Sequence, residues 1–70
     1  MDDIGVRFAR RLKQLRKRRC LTQEQLAERA DISEKHLQRL ESHDPCGVRL
    51  VTLEQIAKAF GISLSELLKL

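Results

Sequence analysis

Seventy residues make one domain with no room for a second core, and a chain this short keeps a thin margin of stability. One Pro, three Gly and two Cys exclude a collagen-like, low-complexity or disulfide-framework chain; no apolar run approaches the roughly 20 residues of a membrane span, and the acidic opening Met1-Asp2-Asp3 is no signal peptide, so a cytoplasmic protein is expected. The net charge of +4 is uneven: residues 1–19 carry +6 and the rest −2, a polarity suited to phosphate backbones and equally to a solvated helix face rich in good helix formers.

The pattern is helical throughout. Ile4, Phe8, Leu12 and Leu15 recur at spacings of four, four and three, one stripe of a helix predicted over about residues 3–19. Its late Lys/Arg cluster complements the negative end of the helix dipole. Thr22-Gln23-Glu24-Gln25 is a capping box, with Leu21 and Leu26 as the hydrophobic staple. It predicts a helix over 23–30. Ser33-Glu34-Lys35-His36, with Ile32 and Leu37 as the staple, starts another over 34–42; its third helical position is His36 instead of Glu or Gln. The connection between these two helices, Asp31-Ile32-Ser33, is short enough to make a helix-turn-helix over about residues 22–42. The stretch His43-Asp44-Pro45-Cys46-Gly47-Val48-Arg49-Leu50-Val51 reads as a loop from its Pro and Gly. Thr52-Leu53-Glu54-Gln55, with Val51 and Ile56, then repeats the capping box and predicts a helix over 53–60. Ser63-Leu64-Ser65-Glu66, with Ile62 and Leu67, repeats it again and predicts one over 64–69.

On the helix beginning at Glu34, Leu37 and Leu40 define the buried side. Lys35, Gln38, Arg39 and Ser42 project roughly opposite, with Glu34 and His36 on the flanks. Such a face suits base edges: Arg or Lys donates to guanine, Gln pairs with adenine, and Glu34 can accept from cytosine. Taken alone, it is also what an ordinary wet helix face looks like.

The run from Leu21 to Ser33, followed by Leu37-Gln38-Arg39-Leu40-Glu41, Leu53-Glu54-Gln55-Ile56-Ala57-Lys58-Ala59-Phe60 and Ser63-Leu64-Ser65-Glu66-Leu67-Leu68, resembles the Cro/C1-type, lambda-repressor-like helix-turn-helix family from about Ile4 to Leu68. The resemblance implies an all-α, compact five-helix DNA-binding domain occupying residues 1–70, whose third helix enters the major groove. It implies a transcription regulator, specifically a repressor, bound as a homodimer to a two-fold-symmetric operator in double-stranded DNA. The base readers would be Lys35, Glu34, Arg39, Gln38 and Ser33, since N-terminal residues of a recognition helix reach the bases. Gln23 matches the family's phosphate contact at the start of helix 2. Lys17, Arg18, Arg19 and Arg49 are generic phosphate candidates, which fix register without reading sequence. Arg16 and Glu41 match a salt bridge between helices 1 and 3. The chain departs from the family at Cys20 and Asp31, where Gly is usual. Asp tolerates a left-handed backbone better than most residues. The loop before Thr52 is about one residue longer than usual and lacks the common Gly after Glu41-Ser42.

Other chemistry finds little support. His36, His43, Cys46 and Cys20 match no zinc spacing. No Ser/His/Asp or Cys/His constellation has supporting motifs, and there is no glycine-rich phosphate loop. No enzyme, cofactor, metal or small-molecule substrate is expected. The competing reading is a protein-interaction module on the same fold, an antitoxin or adaptor. Its motivation is the Leu-rich end: Leu64, Leu67, Leu68 and Leu70, with Val48, Leu50 and Val51 near the loop. We read these residues as partly core and partly dimer contact.

Overall fold

The computed structural model describes residues 3–42 and 48–70. Five helices follow in chain order: α1 (Ile4–Arg18), α2 (Gln23–Ala30), α3 (Glu34–Leu40), α4 (Leu50–Phe60) and α5 (Leu64–Leu67). No strand occurs among the described residues, so the architecture is the expected all-α, five-helix one.

One three-residue device builds three of the four connections. A residue in the left-handed region ends a helix, an apolar residue follows, and a hydroxyl residue caps the next helix. After α1 the triplet is Cys20-Leu21-Thr22, after α2 it is Asp31-Ile32-Ser33, and after α4 it is Gly61-Ile62-Ser63. The left-handed residues have φ of 55°, 59° and 70°. In each case two backbone bonds close the helix. Leu21, Ile32 and Ile62 donate to Arg16, Ala27 and Ala57, and Cys20, Asp31 and Gly61 donate to Lys17, Glu28 and Lys58. These orphan carbonyls are thereby satisfied. Only one of the three positions uses Gly, the residue that adopts this backbone without steric cost.

The caps follow. Thr22 Oγ1 accepts the Gln25 N–H at 3.1 Å while Gln25 Oε1 accepts the Thr22 N–H at 2.9 Å, a complete capping box. Ser33 Oγ accepts from His36 at 3.0 Å, and Ser63 Oγ accepts from Glu66 at 3.1 Å. The start of α1 is capped by Asp3, whose Oδ1 accepts the Val6 N–H at 2.9 Å.

Three sequence expectations are corrected here. The capping box at Thr52 does not form: α4 begins at Leu50 behind Arg49, which makes no side-chain cap, and Thr52 is buried within the helix. Its supposed staple residue Val51 is 65% exposed. A Thr three residues before a Gln marks a helix start only when nothing longer-range buries the Thr first. Ile4 is also outside the core, at 67% exposure, while Ala9 is inside it. The helical period gives the direction of the buried stripe and not how far the neighbouring elements reach along it. Helices α3 and α5 stop two residues earlier than expected, at Leu40 and Leu67.

The core draws on every helix. Phe8, Leu12 and Leu15 from α1 meet Leu26, Ala27 and Ala30 from α2, Leu37 and Leu40 from α3, Leu53, Ile56 and Phe60 from α4, and Leu67 from α5. Helix α2 packs against both α3 and α4, and α4 packs against α5. With Leu12, Leu26, Leu37, Ile56 and Leu67 inaccessible to solvent, each helix contributes an anchor, and truncating one would cost about 2–5 kcal/mol.

Candidate nucleic-acid interface

Helix α3 is held by its inner face and by both ends. Leu37 and Leu40 are buried; Ser33 caps the start; at the finish, Ser42 Oγ donates to the Arg39 carbonyl at 2.6 Å. The outer face is left to solvent. Glu34, Lys35, His36, Gln38 and Arg39 are all exposed. Lys35 and Arg39 stand one turn apart, and at about 100° per residue they are offset by only about 40°. A helix about 10–12 Å across matches a major groove about 12 Å wide. Of the expected readers, Glu34 and Gln38 already touch: Gln38 Nε2 donates to Glu34 Oε1 at 3.3 Å. Ser33 is occupied as an acceptor by the cap and keeps its hydroxyl proton to donate.

Behind this face lies a polar hub that the local sequence does not announce. Glu41, just past α3, is 6% exposed. Arg16 Nε donates to Glu41 Oε2 at 2.8 Å and Arg16 Nη2 donates to Glu41 Oε1 at 3.1 Å, a two-point fork. Arg16 Nη1 donates to the Leu21 carbonyl at 2.8 Å. Gln23 Nε2 donates to Glu41 Oε1 at 3.2 Å. Arg16 and Glu41 thus meet as the resemblance implies, and Gln23 joins them, which sequence reasoning missed. The Gln23–Glu41 contact spans 18 residues, so no local motif carries it. Gln23 keeps one amide N–H for another acceptor. No buried side-chain N or O among the described residues lacks a partner.

The other phosphate candidates are scattered. Lys17, Arg18 and Arg19 are exposed at the end of α1. The Arg19 guanidinium lies 6.0 Å from the centre of the Phe60 ring, within cation–π range. Arg49 is exposed at the start of α4. His43 and Cys46, two of the metal candidates, lie outside the described residues, and no group of three metal-ligating side chains occurs among those described. No described helix is long and apolar enough to cross a membrane.

A family model for the Cro/C1-type HTH DNA-binding domain matches residues 11–70. The chain belongs to this family. It is a DNA-binding transcription regulator and not an enzyme. Among similar proteins, it is 41% identical over 68 residues to the control protein C.MunI of Mycoplasma sp, covering 96% of this chain and 90% of that one. It is 46% identical over 57 residues to the immunity repressor protein of Bacillus phage phi105, covering 81% of this chain and 39% of that one. Its fold superimposes on the crystal structure of the restriction-modification controller protein C.AhdI from Aeromonas hydrophila with a TM-score of 0.83 and 32% identity, over 89% of this chain and 92% of that one. Within this family fold the turn between α2 and α3 is closed by Asp31, and Glu41 ties Arg16 of α1 and Gln23 of α2 to the end of α3.

Proposed function

We propose that this Cro/C1-type regulator binds a specific two-fold-symmetric operator in double-stranded DNA as a homodimer, with α3 in the major groove, and represses by occupying the site. Lys35 and Arg39 donate to guanine, Gln38 pairs with adenine, Glu34 accepts from cytosine, and Ser33 contacts the base or backbone at the groove edge. Gln23, Lys17, Arg18, Arg19 and Arg49 hold phosphates. The protein acts in the cytoplasm. The observation that carries this reading is the exposed outer face of α3, bearing Lys35 and Arg39, on a helix whose inner face and far end are locked into the core.

The homodimer rests on a second observation. Leu50 and Val51 at the start of α4 are 74% and 65% exposed, and Leu68 and Leu70 beyond α5 are 39% and 38% exposed. Exposed apolar residues of this kind, used isologously, suit a two-fold operator. The same exposed residues would serve the alternative, an antitoxin or adaptor that binds another protein.

Selection of bound sites from a random DNA pool separates the two. The proposal expects an enriched inverted repeat whose half-sites are about one helical turn, roughly 34 Å, or a multiple of it apart. An unenriched pool contradicts it and favours the interaction module.

A further inference from the structure

Gln23 is fixed twice. Its backbone is the first residue of α2, behind the reciprocal Thr22–Gln25 capping bonds of 3.1 and 2.9 Å. Its side chain reaches across the fold: Nε2 donates to Glu41 Oε1 at 3.2 Å. Gln23 is half-buried, whereas its neighbours Glu24 and Gln25 are exposed. Resting on the reading of Gln23 as a phosphate contact, we infer that Glu41 is the positioning residue that aims it, holding the amide in place before DNA arrives.

The chemistry of the two side chains sets the direction. A carboxylate only accepts hydrogen bonds, while a primary amide has one donating end and one accepting end. Glu41 therefore selects the Nε2 end of Gln23, because the flipped amide would set Oε1 against a carboxylate oxygen. Nε2 carries two hydrogens. One N–H is on Glu41, and the other is left for a phosphate oxygen. An unpaired carboxylate at this place would repel a phosphate. Arg16 removes that obstacle, since its Nε and Nη2 take both carboxylate oxygens, at 2.8 and 3.1 Å. The side chains of the pair are 13% and 2% exposed, and together they carry no net charge.

Holding the amide in advance matters for binding. A glutamine side chain loses much rotamer freedom when it is fixed. A side chain already ordered in the free protein does not lose that freedom again on association. Glu41 is also the C-cap residue of α3, 18 residues along the chain from Gln23. Phosphate contacts set the register of a protein on the duplex. The contact at the start of α2 and the proposed reading helix thus share one anchor.

Two measurements test the positioning role. In the free protein, nitrogen relaxation should give the Gln23 side-chain amide an order parameter near the rigid value of about 0.85, and exposed Gln14 one below about 0.6. A Gln23 amide as mobile as that of Gln14 overturns the inference, and no variant is needed. The second measurement is a cycle of titrations on a scrambled duplex with Gln23→Ala, Arg16→Met/Glu41→Met, and all three changes together. The Met pair replaces a buried ion pair by apolar side chains of similar length, a change often neutral for folding. It removes one positive and one negative charge, so the general attraction to DNA stays the same. Gln23→Ala should weaken binding about five-fold, the scale of one hydrogen bond, and the Met pair should weaken it about as much. Once Gln23 is Ala, the Met pair should add nothing further. A Met pair that binds like the unchanged protein, or that weakens binding equally with and without Gln23, overturns the positioning role and leaves the phosphate contact standing. A Gln23→Ala variant that binds like the unchanged protein sinks the phosphate contact itself, and the positioning role with it. Should the Met pair not fold, the order of the Gln23 amide in the unchanged protein decides alone.

Discussion

Along its outer face α3 presents Glu34, Lys35, Gln38 and Arg39 to solvent, while just past its end Glu41 is 6% exposed and receives hydrogen bonds from Arg16 and Gln23. The exposed stretch can change residues with little effect on folding, because surface substitutions seldom move stability by more than about 0.5 kcal/mol. The buried end cannot: a carboxylate out of water must keep its partners. If α3 reads bases as proposed, specificity and stability rest on different residues, the readers on its exposed face and Glu41 just past its end. That separation would let the proposed reading face vary while Glu41 keeps its partners.

The largest expected effect breaks the buried side of this comparison. Arg16→Ala and Glu41→Ala should each destabilise the fold by about 3–5 kcal/mol, because removing one partner leaves an uncompensated charge. The double variant should lose less than the sum of the singles. Denaturant titration measures both. Additive losses with hardly any change in midpoint would mean that the hub holds nothing.

A smaller effect belongs to the exposed apolar residues at the start of α4 and beyond α5. Sedimentation of the unchanged protein should show a dimer at micromolar concentration or on operator DNA. Leu50→Glu with Leu68→Glu should give a folded monomer, since both side chains are exposed in the single chain and charge is disfavoured at an interface core. A variant that still dimerises would place the contact elsewhere.

The smallest effect lies in the turns. Cys20 has φ 55°, which costs a side chain about 1–2 kcal/mol, while Gly brings an entropic cost of about 0.5–1 kcal/mol. Cys20→Gly should therefore stabilise by about 0.5–1 kcal/mol, visible as a raised melting point. Asp31→Gly should gain less, because Asp adopts this backbone more readily. A melting point lowered by Cys20→Gly would show that the thiol makes a contact outweighing the strain.

The difference between local and distant chemistry also sets how much the sequence reveals. The starts of α2, α3 and α5 were legible because Thr22, Ser33 and Ser63 bond to amides three residues away. The start of α4 was not, because Arg49 provides no side-chain cap and buried Thr52 imitates one. At the interface, the outward placement of Lys35 and Arg39 followed from the spacing of Leu37 and Leu40. The Arg16–Glu41 pair came only from the family resemblance, and the Gln23 bond to Glu41 from neither, since both depend on how three helices pack. The sequence left Leu50 and Val51 divided between core and dimer contact, and only the structure shows that both are exposed, because an apolar side chain in a sequence does not say how much of it the fold covers.

The central claim, that α3 reads bases through Lys35 and Arg39, is tested most directly by binding titrations of Lys35→Ala and Arg39→Ala on operator and scrambled duplexes at several salt concentrations, beside Gln23→Ala as the phosphate control. Each reader variant should remain folded and lose about 1–3 kcal/mol of discrimination at one or two base pairs per half-site, whereas Gln23→Ala should weaken both duplexes about equally. If Lys35→Ala and Arg39→Ala also weaken both duplexes equally, leaving the ratio between them unchanged, α3 is not the reader.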